Sequence, residues 1–244
     1  MIASVKGTGS LFSTYRVCFA ILGIPSLITI GLILFSKKKY PNPEVFEKQN
    51  EADGKFRFRK SFVFYMIAIC LFAFGFADFT LITLHAAKTQ AFPDSALSLL
   101  YAGAMAVDAF AALFFGWLFD KIGLKALILS TCCSAFFSCL IFLTESPVWI
   151  MAGILLWGIG MGAQESIMKA AVSKIIPHSM RSTGFGIFET GFGIAWFLGS
   201  WLLGALYDIK PLFLVIISTT AQLLAIVFYT VCIRIQAGEE PPVA

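Results

Sequence analysis

The sequence predicts an all-α membrane protein, a polytopic bundle of about seven transmembrane helices, and three observations carry that prediction. The 244 residues are 59% hydrophobic and only 13% charged, where a soluble domain carries roughly 25% charged residues. The apolar residues gather into long runs, each long enough at about 1.5 Å per residue to cross ~30 Å of hydrocarbon. Short polar links separate the runs, several of them marked by a proline (Pro93, Pro147, Pro177, Pro211). Phenylalanine is heavily used (26 residues), as expected of side chains that face lipid.

Residues 1–14 are polar and place no element. The first apolar run covers about residues 15–35. Its core is longer than the apolar region of a signal peptide, and Ser36-Lys37-Lys38-Lys39 closes it as a stop, not as a small-residue cleavage site. Residues 1–36 thus read as an N-terminal segment with one transmembrane helix. Residues 37–60 form the long polar linker, with Pro41, Pro43 and eight basic residues (Lys37, Lys38, Lys39, Lys48, Lys55, Arg57, Arg59, Lys60). A solvated linker explains this segment better than a lipid- or partner-binding patch, because topology alone demands such a bias. Six further spans follow over roughly 61–86, 96–118, 125–143, 148–172, 183–206 and 211–234. Residues 61–236 are therefore expected as one six-helix bundle and 237–244 as a tail. Seven spans leave the termini on opposite sides of the membrane.

The six cysteines fall inside or at the ends of apolar runs without C-x-x-C spacing, and read as small packing residues. The two histidines, His85 and His178, are far apart and suggest no metal site. No cofactor and no nucleic-acid partner is expected, and no nucleophile–base set points to an enzyme. The glycine-rich runs Gly158-Ile159-Gly160-Met161-Gly162 and Gly184 through Gly193 lie within apolar spans, with no preceding strand and no following Lys-Ser/Thr. They read as close helix packing, not as a nucleotide loop.

The most specific stretch is the short link Gly116-Trp117-Leu118-Phe119-Asp120-Lys121-Ile122-Gly123-Leu124-Lys125. Gly116 would let a neighbouring helix approach closely. Asp120 sits at the water boundary with Lys121 and Lys125 as local partners, and Gly123 supplies the freedom a tight reversal needs. Read on to Ile128, the pattern G-x-L-x-D-(R/K)-x-G-x-(R/K)-x-x-I resembles the loop signature of the major facilitator superfamily, departing from it at Leu124, where that family usually carries a basic residue. Tyr15-Arg16-Val17-Cys18-Phe19 with Gly23-Ile24-Pro25 resembles the superfamily's sixth helix. A weak repeat agrees: Gly116 to Asp120 and Gly204-Ala205-Leu206-Tyr207-Asp208 close helices that cross in opposite directions, as inverted three-helix repeats would.

The resemblance implies a secondary transporter moving a small solute through the lipid bilayer by alternating access, with or without coupling to H+. It covers the sixth helix and the C-terminal half of a fold that normally has twelve spans and places its substrate site between two halves. The chain is accordingly expected to be a gene fragment, a decayed copy or a half-size transporter that pairs with a missing N-terminal half or a second chain. A seven-helix receptor or sensor, or a non-transporting fragment, is the alternative.

Ionisable residues inside spans are expensive in lipid and must face protein or water. Asp108 lies near mid-membrane on a face shared with Ala104, Ala112 and Gly116, as a substrate- or proton-binding carboxylate or as a structural partner in the bundle. Glu165 and Lys169 stand at i, i+4 in the order that favours a helical ion pair. Glu189 enters the next span at a similar depth, so the three form a candidate network, either a gate or a substrate or ion site. Asp78 and His85 share a face toward the outer end of their span, His85 at the membrane interface and Asp78 as a gate or relay residue.

Orientation follows from the basic residues. With the linker inside, the cytoplasmic segments hold its eight plus Lys121, Lys125, Lys174, Arg181 and Arg234, against Lys6, Arg16, Lys88 and Lys210 outside. The protein is expected in the plasma (inner) membrane with linker, Asp120 loop and C-terminus cytoplasmic. Asn50→Cys, in a background without the native cysteines, should resist an impermeant maleimide in intact cells and react after permeabilisation. Ready labelling of intact cells would invert the topology.

Overall fold

The computed structural model describes residues 11–41, 59–176 and 180–239, in two units, Met1–Glu51 and Ala52–Ala244. Most of the expected linker therefore lies outside the described residues. The first unit contributes α1 (Leu11–Lys39), whose membrane-length part is Phe19–Lys39. Lys37, Lys38 and Lys39 form its last turn, where positive charge complements the exposed carbonyls of a helix end.

The second unit contains α2 (Lys60–Gly75), α3 (Phe79–Lys88), α4 (Asp94–Ile122), α5 (Lys125–Ser134), α6 (Phe137–Phe142), α7 (Pro147–Ile175), α8 (Arg181–Ile209) and α9 (Pro211–Glu239). Helices α2–α3 and α5–α6 each make one broken span, so the described residues hold seven helices long and apolar enough to cross a membrane. It is an integral, multi-pass helical protein. Pro147 and Pro211 open α7 and α9, where the missing N–H costs nothing. Gly123 ends α4 at φ 62°, its N–H donating to the Phe119 carbonyl at 2.8 Å. That backbone region favours glycine, so the expected role of Gly123 holds.

The break between α2 and α3 is not visible in the hydropathy. Phe76 and Asp78 are extended, which frees backbone carbonyls in an apolar interior where each needs a donor. Ser218 Oγ donates to the Gly75 carbonyl at 2.7 Å, and Trp157 Nε1 to the Ala77 carbonyl at 2.8 Å. Phe76 itself fills the centre, packed on Phe72, Phe137, Trp157 and Trp196. Many phenylalanines are thus core and not lipid-facing, with Phe62, Phe72, Phe76, Phe137 and Phe188 almost fully enclosed.

The helix pairs obey an internal symmetry. The dominant contacts are α4 with α7, α2 with α8 and with α9, and α5–α6 with α7 and with α9. Exchanging the first three spans of the bundle for the last three leaves that set unchanged, as an inverted repeat requires. Small residues sit where backbones meet. Where α4 crosses α7, a methyl at Gly158 would lie 2.9 Å from the Ala104 carbonyl, and one at Gly162 would overlap the Asp108 carbonyl. In the equivalent crossing of α2 and α8, Gly199 touches the Phe74 backbone and Gly191 the Met66 side chain. Gly116 does not belong to this set, nor do Gly186 and Gly193, since nothing lies within 4 Å of the space a methyl would take there.

Without a hydrophobic driving force between helices in lipid, such close approach and buried hydrogen bonds of about 0.6–2 kcal/mol each hold the bundle. Ser134 Oγ donates to Gln222 Oε1 at 3.3 Å, Ser138 and Thr219 hydroxyls pair at 3.2 Å, and Tyr65 donates to the Met168 carbonyl at 2.9 Å. Gly162→Val should destabilise the purified protein by at least about 1–3 kcal/mol through backbone overlap, while Gly116→Val should stay within about 0.5 kcal/mol. Thermal unfolding in detergent reads both. The reverse ranking would contradict the α4–α7 crossing.

Candidate functional site

A cleft of about 750 Å³ opens between the α2–α3 span, α7 and α8. Helix α7 lines it with Met161, Gln164, Glu165, Met168 and Lys169, and α8 with Phe188, Glu189, Phe192, Gly193, Trp196, Phe197 and Ser200. Each set recurs every three or four residues, so each helix presents a single stripe. The broken span adds Phe72 and Asp78. Four of the charged residues singled out from the sequence, Asp78, Glu165, Lys169 and Glu189, thus converge from three spans.

Their pairing differs from the expectation. Lys169 Nζ lies 3.2 Å from Glu189 Oε1 on the facing helix, and not on Glu165. Glu165 has no ion pair among the described residues. Asp78 opens α3 without capping it through its side chain. Its Oδ1 instead accepts from Trp196 Nε1 at 2.8 Å, because the break in the span turns it toward α8. Two residues that the sequence reading passed over complete the site. Trp196 carries an indole N–H that must find an acceptor once buried. Gln164 is fully buried, its Nε2 donating to Thr131 Oγ1 at 3.2 Å and its amide within hydrogen-bonding reach of the buried Tyr229 hydroxyl. A lone amide in mid-span was the available signal.

Asp108 does not line the cleft. It is half-buried on α4, its Oδ1 enclosed without a hydrogen-bond partner and its carboxylate within electrostatic reach of Glu165. The expected packing face of Ala104, Asp108 and Ala112 is present, since all three meet Gly158 or Gly162.

At the Gly123 end, Asp120 is exposed and forms no ion pair among the described residues. Lys121 instead lies 3.9 Å from the centre of the Trp117 ring, and Leu124 is buried in the core. Lys174 of α7 sits over Phe119 at 4.2 Å. At the opposite end, Lys88 of α3 sits over Tyr207 at 4.8 Å and reaches Asp208 at 3.6 Å. The two five-residue repeats are therefore each capped by a lysine from the symmetry-related span. His85 is buried within the bundle: its Nε2 faces the Thr144 carbonyl at 3.3 Å and its Nδ1 the Tyr207 hydroxyl at 3.0 Å. With a carbonyl opposite, Nε2 is assigned as the donor and Nδ1 accepts from Tyr207.

Comparison with known proteins gives a match to the family model of the Major Facilitator Superfamily over residues 78–243. Uncharacterized proteins of Mycobacterium bovis and Mycobacterium tuberculosis are 28% identical over 236 residues, which is 93% of this chain and 58% of theirs. The chain thus spans less than three fifths of the length of these relatives.

A double-mutant cycle tests the cross-helix pairing. Lys169→Ala and Glu189→Ala should couple by about 0.2–1 kcal/mol in thermal unfolding, as half-exposed pairs do. Lys169→Ala and Glu165→Ala should be additive. Coupling to Glu165 in place of Glu189 would refute the pairing.

Proposed function

The chain belongs to the major facilitator superfamily, and from that premise we propose that it works in alternating-access transport of a small solute, with the cleft between α2–α3, α7 and α8 as its share of the solute path. The observation that carries this reading is the convergence of Asp78, Glu165, Lys169 and Glu189 from three spans onto one aromatic-lined cleft. Charged side chains in a spanning bundle are costly unless they face water, each other or a ligand. Alternating access requires one bundle to rock against another. The reading therefore calls for a second bundle facing the cleft, from whichever chain supplies it.

Within this scheme Lys169–Glu189 forms a gate that opens as α7 and α8 separate. Asp108 is the proton carrier: it lies behind the cleft, lacks a partner for Oδ1 and interacts with Glu165. The loop of Gly116, Asp120, Lys121, Gly123 and Lys125 is the conformational latch, on the cytoplasmic face of the plasma membrane together with the C-terminus.

Proteoliposomes containing the chain and the second bundle it needs test the assignment. Asp108→Asn should abolish proton-driven accumulation and leave counterflow of solute intact. Loss of both would make Asp108 structural, and unchanged accumulation would remove it from the mechanism. Asp120→Asn should slow turnover several-fold at unchanged solute affinity; weaker binding with normal turnover would refute the latch.

A further inference from the structure

We infer that His85 is a proton-sensitive switch, which ties α3 to α8 while its ring is neutral and to the α6 side once its ring is charged. The inference is independent of what the cleft carries and of a second bundle. Helices α3 and α8 are not among the helix pairs in dominant contact, so the tie between them is made by side chains. Tyr207 of α8 stands at its centre. The Tyr207 hydroxyl donates to His85 Nδ1 at 3.0 Å, and the two rings meet edge to face with centres 5.7 Å apart. One turn along α3, Lys88 covers the same tyrosine ring at 4.8 Å and reaches Asp208 at 3.6 Å. The His85 ring is only 5% exposed, whereas the Lys88 and Asp208 side chains are at least half exposed. The switch therefore lies one side chain below the ends of two spans.

The two sides of the imidazole differ in kind. On the α6 side the polar groups are all acceptors: the Thr144 carbonyl 3.3 Å from Nε2, the Ile141 carbonyl and, within electrostatic reach, the Glu145 carboxylate. On the α8 side stands a hydroxyl that already gives its proton to Nδ1, with the Lys88 ammonium over its ring. A neutral imidazole has one donor and one acceptor and satisfies both sides, whereas an imidazolium has two donors. Its Nδ1–H then meets a hydroxyl whose own proton has no second acceptor among the described residues, and a buried donor left unpaired is costly. Lys88 repels the new charge and Glu145 attracts it. Asp208 is held by Lys88, and if it swung to Nδ1 it would displace Tyr207 and break the tie by another route. The neutral ring makes the tie to α8, so that tie is complete at alkaline pH and lost as the ring takes a proton. The break at Phe76–Asp78 separates the ten residues of α3 from the helical ladder of α2, so α3 can tilt while α2 stays packed.

Spin labels on α3 and α8 read the tie directly. The whole chain, with its native cysteines replaced and nitroxides at the exposed positions Ala87→Cys and Ala205→Cys, is placed in nanodiscs. Double electron–electron resonance then gives the label distance between about pH 8 and about pH 5, where histidine changes charge. One distance should dominate at the upper pH, and the share of a second should rise at least about three-fold at the lower. His85→Gln, neutral throughout, should abolish the rise, and His178→Gln, at the other histidine of the chain, should leave it intact. An unchanged distance distribution in the unmodified chain would overturn the switch. A rise that persists in His85→Gln, or that disappears in His178→Gln, would overturn it equally, because another group would then be titrating. Should His85→Gln not yield intact protein, Tyr207→Phe decides. Without the hydroxyl the two charge states of the ring no longer differ in their hold on α8, so the rise should disappear, and a rise of undiminished size refutes the proposal.

Discussion

Satisfying freed backbone carbonyls inside an apolar bundle is the constraint on which the arrangement of this protein depends. A span that breaks in hydrocarbon exposes peptide groups that no solvent can pair. The break at Phe76–Asp78 persists because Ser218 and Trp157 supply the missing donors from two other spans. That solution ties α9 and α7 to the same point of the first bundle span. It also turns Asp78 out of the helical register so that Trp196 can meet it. Without the break, the cleft would lose one of its three charged walls.

Around that point the bundle is organised by exchange symmetry. Two crossings, α4 with α7 and α2 with α8, bring backbones together over glycine. Two ends carry the same aromatic–acid pair capped by a lysine, Phe119–Asp120 under Lys174 and Tyr207–Asp208 under Lys88. The copies are not equal. Lys88 also reaches Asp208, while Lys174 leaves Asp120 without an ion pair among the described residues. An ion pair at one end and its absence at the other, among the described residues, make the two ends electrostatically unlike.

Electrostatics in the cleft are set between helices and not along them. Glu165 and Lys169 have the spacing of a helical pair, worth only about 0.2–0.5 kcal/mol. The stripe that α7 shows to α8 carries Lys169 toward Glu189, and the facing carboxylate takes it. Glu165 is released from the role its spacing suggested. The same geometry encloses the Gln164 amide between Thr131 and Tyr229. Polarity and charge of the cleft follow from these two consequences of helix pairing.

Residue order alone was enough for the seven spans found among the described residues, their ends to within a few residues, the reversal at Gly123, the glycine face of α7 and the charged residues within the spans. These are local properties: hydropathy over one helix length, proline and glycine at the ends, and a side-chain type that lipid would not tolerate. It also carried the family, through the Asp120 loop. The packing of helix on helix settles that the first bundle span is broken, that His85 and several phenylalanines are buried, that a methyl at Gly116 would meet nothing, and that Lys169 belongs to Glu189. Each depends on which face of one helix meets which face of another. The 3.6-residue period specifies the faces of a single helix, whereas their partners follow from how closely neighbouring backbones can approach.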